Sequence, residues 1–165
     1  MALQVWFELA STYSYLTGTR VEAQAQQMGV KIAWRPFLLG PIFQAKGWNT
    51  SPFNLDPAKG AYMWRDMERR AARLGLPFNP PTTFPAHSLA AARVMTAAEG
   101  QPWAGAFARD VFAAQFARGE DIADPTVLET ALSSHTEDPQ HWSALEQTDA
   151  VKMALRQRTE EAAAL

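Results

Sequence analysis

A strand, a helix and a second strand in immediate succession constrain the opening of this chain most. Residues 3–7 (Leu-Gln-Val-Trp-Phe) form a short apolar and aromatic run. Residues 12–27 then read as one helix with Val21, Ala25 and Met28 on a shared face, stopped by Gly29. Residues 30–35 place their large apolar side chains at every second position and end at Pro36. That is a βαβ unit, and such crossovers join parallel strands with right-handed connections. Trp6 and Trp34, on the paired strands, are read as core.

After Phe37 no further strand of comparable quality is visible, and the pattern turns to helices joined by proline-rich segments. Asp56-Pro57, Asp124-Pro125 and Asp138-Pro139 each set an N-cap before the residue favoured at the first helical position. The first cap opens a helix with a stripe of Met63, Met67, Ala71 and Leu74 ending at Gly75. Its opposite face, with Arg65, Asp66, Glu68, Arg69, Arg70 and Arg73, reads as solvated. A proline-rich loop over 77–85 leads to a helix over 88–98 with Leu89, Ala92 and Met95 inward. Gln101-Pro102 starts another, striped by Trp103, Phe107, Val111 and Ala114 before Gly119. The short helices after Asp124 and Asp138 carry Val127, Leu128, Leu132 and then Trp142, Leu145, and a last helix covers about 149–164.

At 165 residues and 47% hydrophobic, the chain supports one well-buried core, so a single domain is expected. A net charge of -2 argues against nucleic acid and anionic membrane as partners, since both need a concentrated basic surface. The N-terminus shows no signal-peptide pattern and no apolar stretch is long enough to span a membrane, so a soluble cytoplasmic protein is expected. The chain has no cysteine, which removes disulfides, thiolate metal sites and self-contained thiol redox cycling. His87, His135 and His141 are scattered without metal-ligand spacing, so no metal is expected.

The strand-to-helix junction is where the chemistry concentrates. Ser11 stands at the start of the first helix, where backbone N–H groups favour negative charge. An ordinary N-cap serine explains the same local sequence. If a thiol from another molecule bound there, the helix start and the Ser11 hydroxyl would stabilise its thiolate. No G-x-S-x-G elbow surrounds Ser11, which argues against a serine nucleophile. His87, in the loop entering the third helix, is the best-placed base and reads equally as a loop histidine. The segment from Asn54 to Tyr62, including Lys59, offers an amide, a cation and a phenol around a helix start, or simply a capped surface turn.

Taken together, these segments resemble the 2-hydroxychromene-2-carboxylate isomerase family and its relatives the kappa-class glutathione transferases, in the DsbA-like branch of the thioredoxin superfamily. Phe7-Glu8-Leu9-Ala10-Ser11-Thr12-Tyr13-Ser14-Tyr15-Leu16 is similar to the family's F-D-x-x-S-P-x-[AS]-Y-L segment. The second strand with its turn, Trp34-Arg35-Pro36-Phe37-Leu38-Leu39-Gly40, and the helix bearing Lys59, Tyr62, Met63, Asp66, Met67 and Arg69 also match. So do Phe84-Pro85-Ala86-His87-Ser88-Leu89 and Asp121-Ile122-Ala123-Asp124-Pro125. Thr12 replaces the usual proline and Glu8 the usual aspartate.

The resemblance implies an α/β fold: a thioredoxin-like βαβ unit over 1–40, a large all-helical insertion over 41–148 and a return helix over 149–165, in one DsbA-like domain. Family members continue into a G-V-P-T-F cis-proline loop, further strands and a W-G-x-D-like segment that together grip the glutathione tripeptide. The expectation is therefore that the C-terminal half of the thioredoxin core is missing here. More chain after Leu165, a second copy in a homodimer, or an open edge would account for a sheet of two strands.

The implied activity is glutathione-dependent isomerisation of a small aromatic acid: thiolate addition, ring opening, bond rotation and elimination. Ser11 would be catalytic and, with Thr12, would bind the glutathione cofactor. Asn54, Lys59 and His87 would contact the substrate. Two alternatives remain, a kappa-like glutathione transferase and a truncated non-catalytic binding or dimerisation module.

Overall fold

The computed structural model describes residues 2–165. Strand β1 (Ala2–Phe7) is followed by α1 (Thr12–Gly18), α2 (Val21–Gln27) and β2 (Lys31–Pro36). The two strands pair in parallel, from Ala2 opposite Lys31 to Phe7 opposite Pro36. They are the whole sheet among the described residues. A helical remainder follows: α3 (Leu39–Ala45), α4 (Pro52–Leu55), α5 (Pro57–Leu74), α6 (Leu89–Ala97), α7 (Ala104–Phe116), α8 (Pro125–Ser133), α9 (Pro139–Leu145) and α10 (Asp149–Ala164). The parallel βαβ unit and the helical remainder are those expected from the sequence.

One expected helix is two. The periodicity predicts an unbroken helix over 12–27, but the chain breaks at Thr19 and Arg20. The Thr19 hydroxyl turns back to the Tyr15 carbonyl at 2.9 Å, a local alternative to continuing the ladder. Gly18, the last residue of α1, marks its closest approach to α7. A Cβ at this position would sit 2.7 Å from the Phe112 ring, so α1 meets α7 too closely for any other residue. Once the chain turns, only Ala25 of α2 is buried, and Met28, expected on the inward face, is 77% exposed.

The core lies between α1, α5, α6 and α7. Phe112 and Phe116 from α7 meet Tyr15 from α1, with Tyr15 stacked on Phe116 at 5.4 Å, and Phe107 is buried in the same core. Phe7 at the end of β1 joins them, edge-on to Trp34 at 5.1 Å. Trp6 and Trp34 themselves are only partly buried, and the Trp34 indole N–H donates to Glu22. Met63, Met67 and Ala71 bury the expected stripe of α5, while Leu74 emerges at its end. Asp56, Asp124 and Asp138 each cap a helix with a side-chain oxygen, and Gly75 ends α5 at φ 65. Helix α10 closes over α6 and β2 and anchors α3, where Thr159 Oγ1 accepts from the Leu38 N–H at 3.2 Å.

Candidate functional site

Between the end of β1 and the start of α1 lie four residues, of which Glu8, Ala10 and Ser11 build the floor of a cavity while Leu9 joins the core. Ser11 adopts an extended conformation (φ -89, ψ 125) and its Oγ accepts the Ser14 N–H at 3.3 Å, so it is the N-cap of α1. Accepting that bond leaves the Ser11 hydroxyl proton free to be donated. Ser14 Oγ in turn accepts from the Glu8 N–H at 3.3 Å, which closes the junction on itself.

The cavity measures about 680 Å³. Small-molecule sites commonly span roughly 300–1,000 Å³. Its floor holds Glu8, Ser11 and Thr12; α3 and the segment after it supply Phe43 and Trp48; Phe53 and Phe84 face them; and Pro85 through Leu89 close the far side. Leu89, expected in the core, is 38% exposed because it lines this cavity. The Phe84-Pro85 peptide bond is cis.

Glu8 is the residue whose importance only the structure reveals. It is 4% exposed, yet its carboxylate ties three parts of the cavity together. Oε1 accepts the Ala10 N–H at 3.1 Å and the Ser88 hydroxyl at 2.5 Å, while Oε2 accepts the Leu39 N–H at 2.8 Å. Burial pushes this carboxyl above its ordinary value, and the hydrogen bonds from Ser88, Leu39 and Ala10 pull it partly back. In the sequence its signals were an acid terminating an apolar strand and its place opposite the aspartate of the resembling F-D-x-x-S-P segment, and neither showed what it binds. Ser88 precedes α6 but does not cap it, because its hydroxyl is committed to Glu8.

The expected site residues divide. Ser11, Thr12 and His87 come together in the cavity wall, with His87 exposed at its mouth. Asn54 stands behind the wall, where its Nδ2 donates to the Phe84 carbonyl at 2.8 Å and to Thr50 Oγ1 at 3.1 Å. Lys59 is exposed in the first turn of α5, its N–H bonded to Asp56, and is not part of the wall. Tyr13 turns outward and donates to Asp66 at 3.0 Å, linking α1 to α5. Glu8 and His87 are the titratable side chains of the wall, which contains no Lys or Arg. Among the described residues no cluster of His, Asp or Glu could hold a metal ion, and no helix is long and apolar enough to cross a membrane.

Comparison with known proteins places these features. A family model described as the DSBA-like thioredoxin domain matches residues 2–165. The glutathione S-transferase kappa 1 of Caenorhabditis elegans is 32% identical over 83 residues, which cover 50% of this chain and 36% of that protein. The human glutathione S-transferase kappa 1 is 28% identical over 171 residues, covering 97% of this chain and 74% of its own length. The solved structure of 2-hydroxychromene-2-carboxylate isomerase superimposes with a TM-score of 0.85 at 22% identity, covering 99% of this chain and 79% of that one. At that identity the likeness is one of fold.

Proposed function

The chain belongs to the DSBA-like thioredoxin domain family, and we propose that within it the protein is a glutathione-dependent isomerase of 2-hydroxychromene-2-carboxylate-type aromatic acids. The observation that carries this reading is the convergence of Ser11, Thr12 and His87 on one aromatic-walled cavity in a chain without cysteine. A cavity of about 680 Å³ with a free hydroxyl at its floor and an apolar wall suits a thiol cofactor beside an aromatic substrate. When bound, glutathione supplies the sulfur nucleophile that adds to the substrate and leaves again.

The chain's own residues position and stabilise. Ser11 donates its hydroxyl to the sulfur while its oxygen still holds the Ser14 N–H. Thr12 opens the first helical turn beside it. Phe43, Trp48, Phe53 and Phe84 hold the aromatic ring and exclude water. His87 faces the substrate from the mouth, and Asn54 steadies the Phe84 wall. From its exposed position Lys59 attracts the substrate carboxylate only at long range. The cytoplasm, where thiols are kept reduced, supplies such a cofactor.

A spectrophotometric isomerisation assay with and without glutathione tests this reading. Turnover that rises with glutathione is expected, and turnover independent of it would contradict the mechanism. A second reading, a kappa-like transferase, is favoured by the names of the two curated relatives. Conjugation of a generic electrophile without isomerisation would select it.

A further inference from the structure

The functional reading leaves one titratable group of the cavity unused. A thiol that ionises in the pocket must lose its proton, and a sulfur anion would then face the Glu8 carboxylate. No Lys or Arg in the wall offsets either charge. Two like charges on one cavity floor without a cation beside them disfavour each other, so one of them is driven to take a proton. His87 is the other titratable wall residue, but it is exposed at the mouth, whereas Glu8 lies on the floor with Ser11.

The contacts of Glu8 suit a group that changes its protonation state. Two backbone N–H groups and one hydroxyl converge on its oxygens, which is an arrangement for the anion. Burial works in the opposite direction and favours a proton. The Ser88 hydroxyl, 2.5 Å from Oε1 and itself in the cavity wall, can reverse its bond and accept once that oxygen is protonated.

We propose that Glu8 is the proton acceptor of this cavity: its carboxylate takes the proton of a small-molecule thiol bound beside Ser11, directly or through the Ser88 hydroxyl. The S–H bond breaks and an O–H bond forms on the carboxyl. Negative charge passes from oxygen to sulfur, the proton stays in the pocket, and nothing is oxidised or reduced. This rests on the glutathione reading above, and it assigns to Glu8 a role distinct from holding the sulfur.

Titration calorimetry with glutathione, repeated in buffers of different ionisation enthalpy at neutral pH, counts the protons exchanged. Ultraviolet difference absorbance reports the thiolate. For the unmodified protein, a thiolate band with a binding heat independent of buffer is expected. For Glu8→Gln, either the thiolate proton passes to the buffer or the band is lost; in His87→Asn the thiolate band and the buffer-independent heat should both persist, whatever the change in affinity. The measurement on the unmodified protein decides even if Glu8→Gln folds poorly. Release of the thiol proton to buffer by the unmodified protein, absence of the band, or dependence on His87 instead of Glu8 would each overturn the assignment while leaving glutathione binding intact. Absence of any glutathione binding would defeat the functional reading itself.

Discussion

Replacing Glu8 by glutamine should change how stability depends on pH, and the sign follows from burial. The folded-state pKa of Glu8 is raised by desolvation, only partly opposed by its three hydrogen-bond donors. Stability from such a group is fully present below its unfolded value, about 4.3, and is lost as pH rises through the folded value. Each unit of elevation removes about 1.4 kcal/mol by neutral pH. Glutamine does not titrate, so this decline disappears. It keeps the shape but leaves one of the converging N–H groups without an acceptor, which costs about 1–3 kcal/mol at every pH. Glu8→Gln should therefore be the less stable protein under acidic conditions, with the gap narrowing or reversing toward neutrality. Urea unfolding at a series of pH values, followed by tryptophan fluorescence, gives the difference curve and cancels the groups common to both proteins. A gap that stays constant or widens with rising pH would refute the assignment of a raised carboxyl.

Other consequences are simpler to measure. Ser11→Ala removes the α1 cap and should lower stability by about 1 kcal/mol together with activity, whereas Ser11→Asn should keep the cap and lose only activity. Phe112→Ala empties a site with 0% exposure beneath Phe7 and Tyr15 and should cost about 3–5 kcal/mol in urea unfolding. Gly18→Ala forces a methyl against the Phe112 ring and should cost about 1–3 kcal/mol by the same measurement. Asp56→Ala should lower the melting temperature of α5 and the domain by roughly 2–4 °C through the loss of a typical cap.

The parallel strands were legible because their apolar alternation and intervening helix leave one connection handedness. The caps at Asp56, Asp124 and Asp138 were legible for an equally local reason, the pairing of an acid with proline. The break between α1 and α2 was not, because the apolar spacing of Val21, Ala25 and Met28 continues across it while the chain turns at Thr19 and Arg20. At the site the limit is distance along the chain. Ser11 announces itself as a helix start, and His87 as a loop residue before α6. Glu8 stands out only as a replacement for the aspartate of the resembling motif, and its role stays hidden because its partners Leu39 and Ser88 lie 31 and 80 residues away. Short helices α3 and α4 were hidden by the glycines and prolines around them, although α3 lines the cavity.

A glutathione titration followed by amide chemical shifts tests the central claim most directly, because it asks whether the Ser11 cavity holds a thiol before any chemistry occurs. Saturable shifts concentrated at Ser11, Thr12, Leu39, His87 and Ser88, abolished at Ser11 and Thr12 when the thiol is replaced by S-methylglutathione, are expected. Shifts that fail to saturate, or that map away from this cavity, would contradict it.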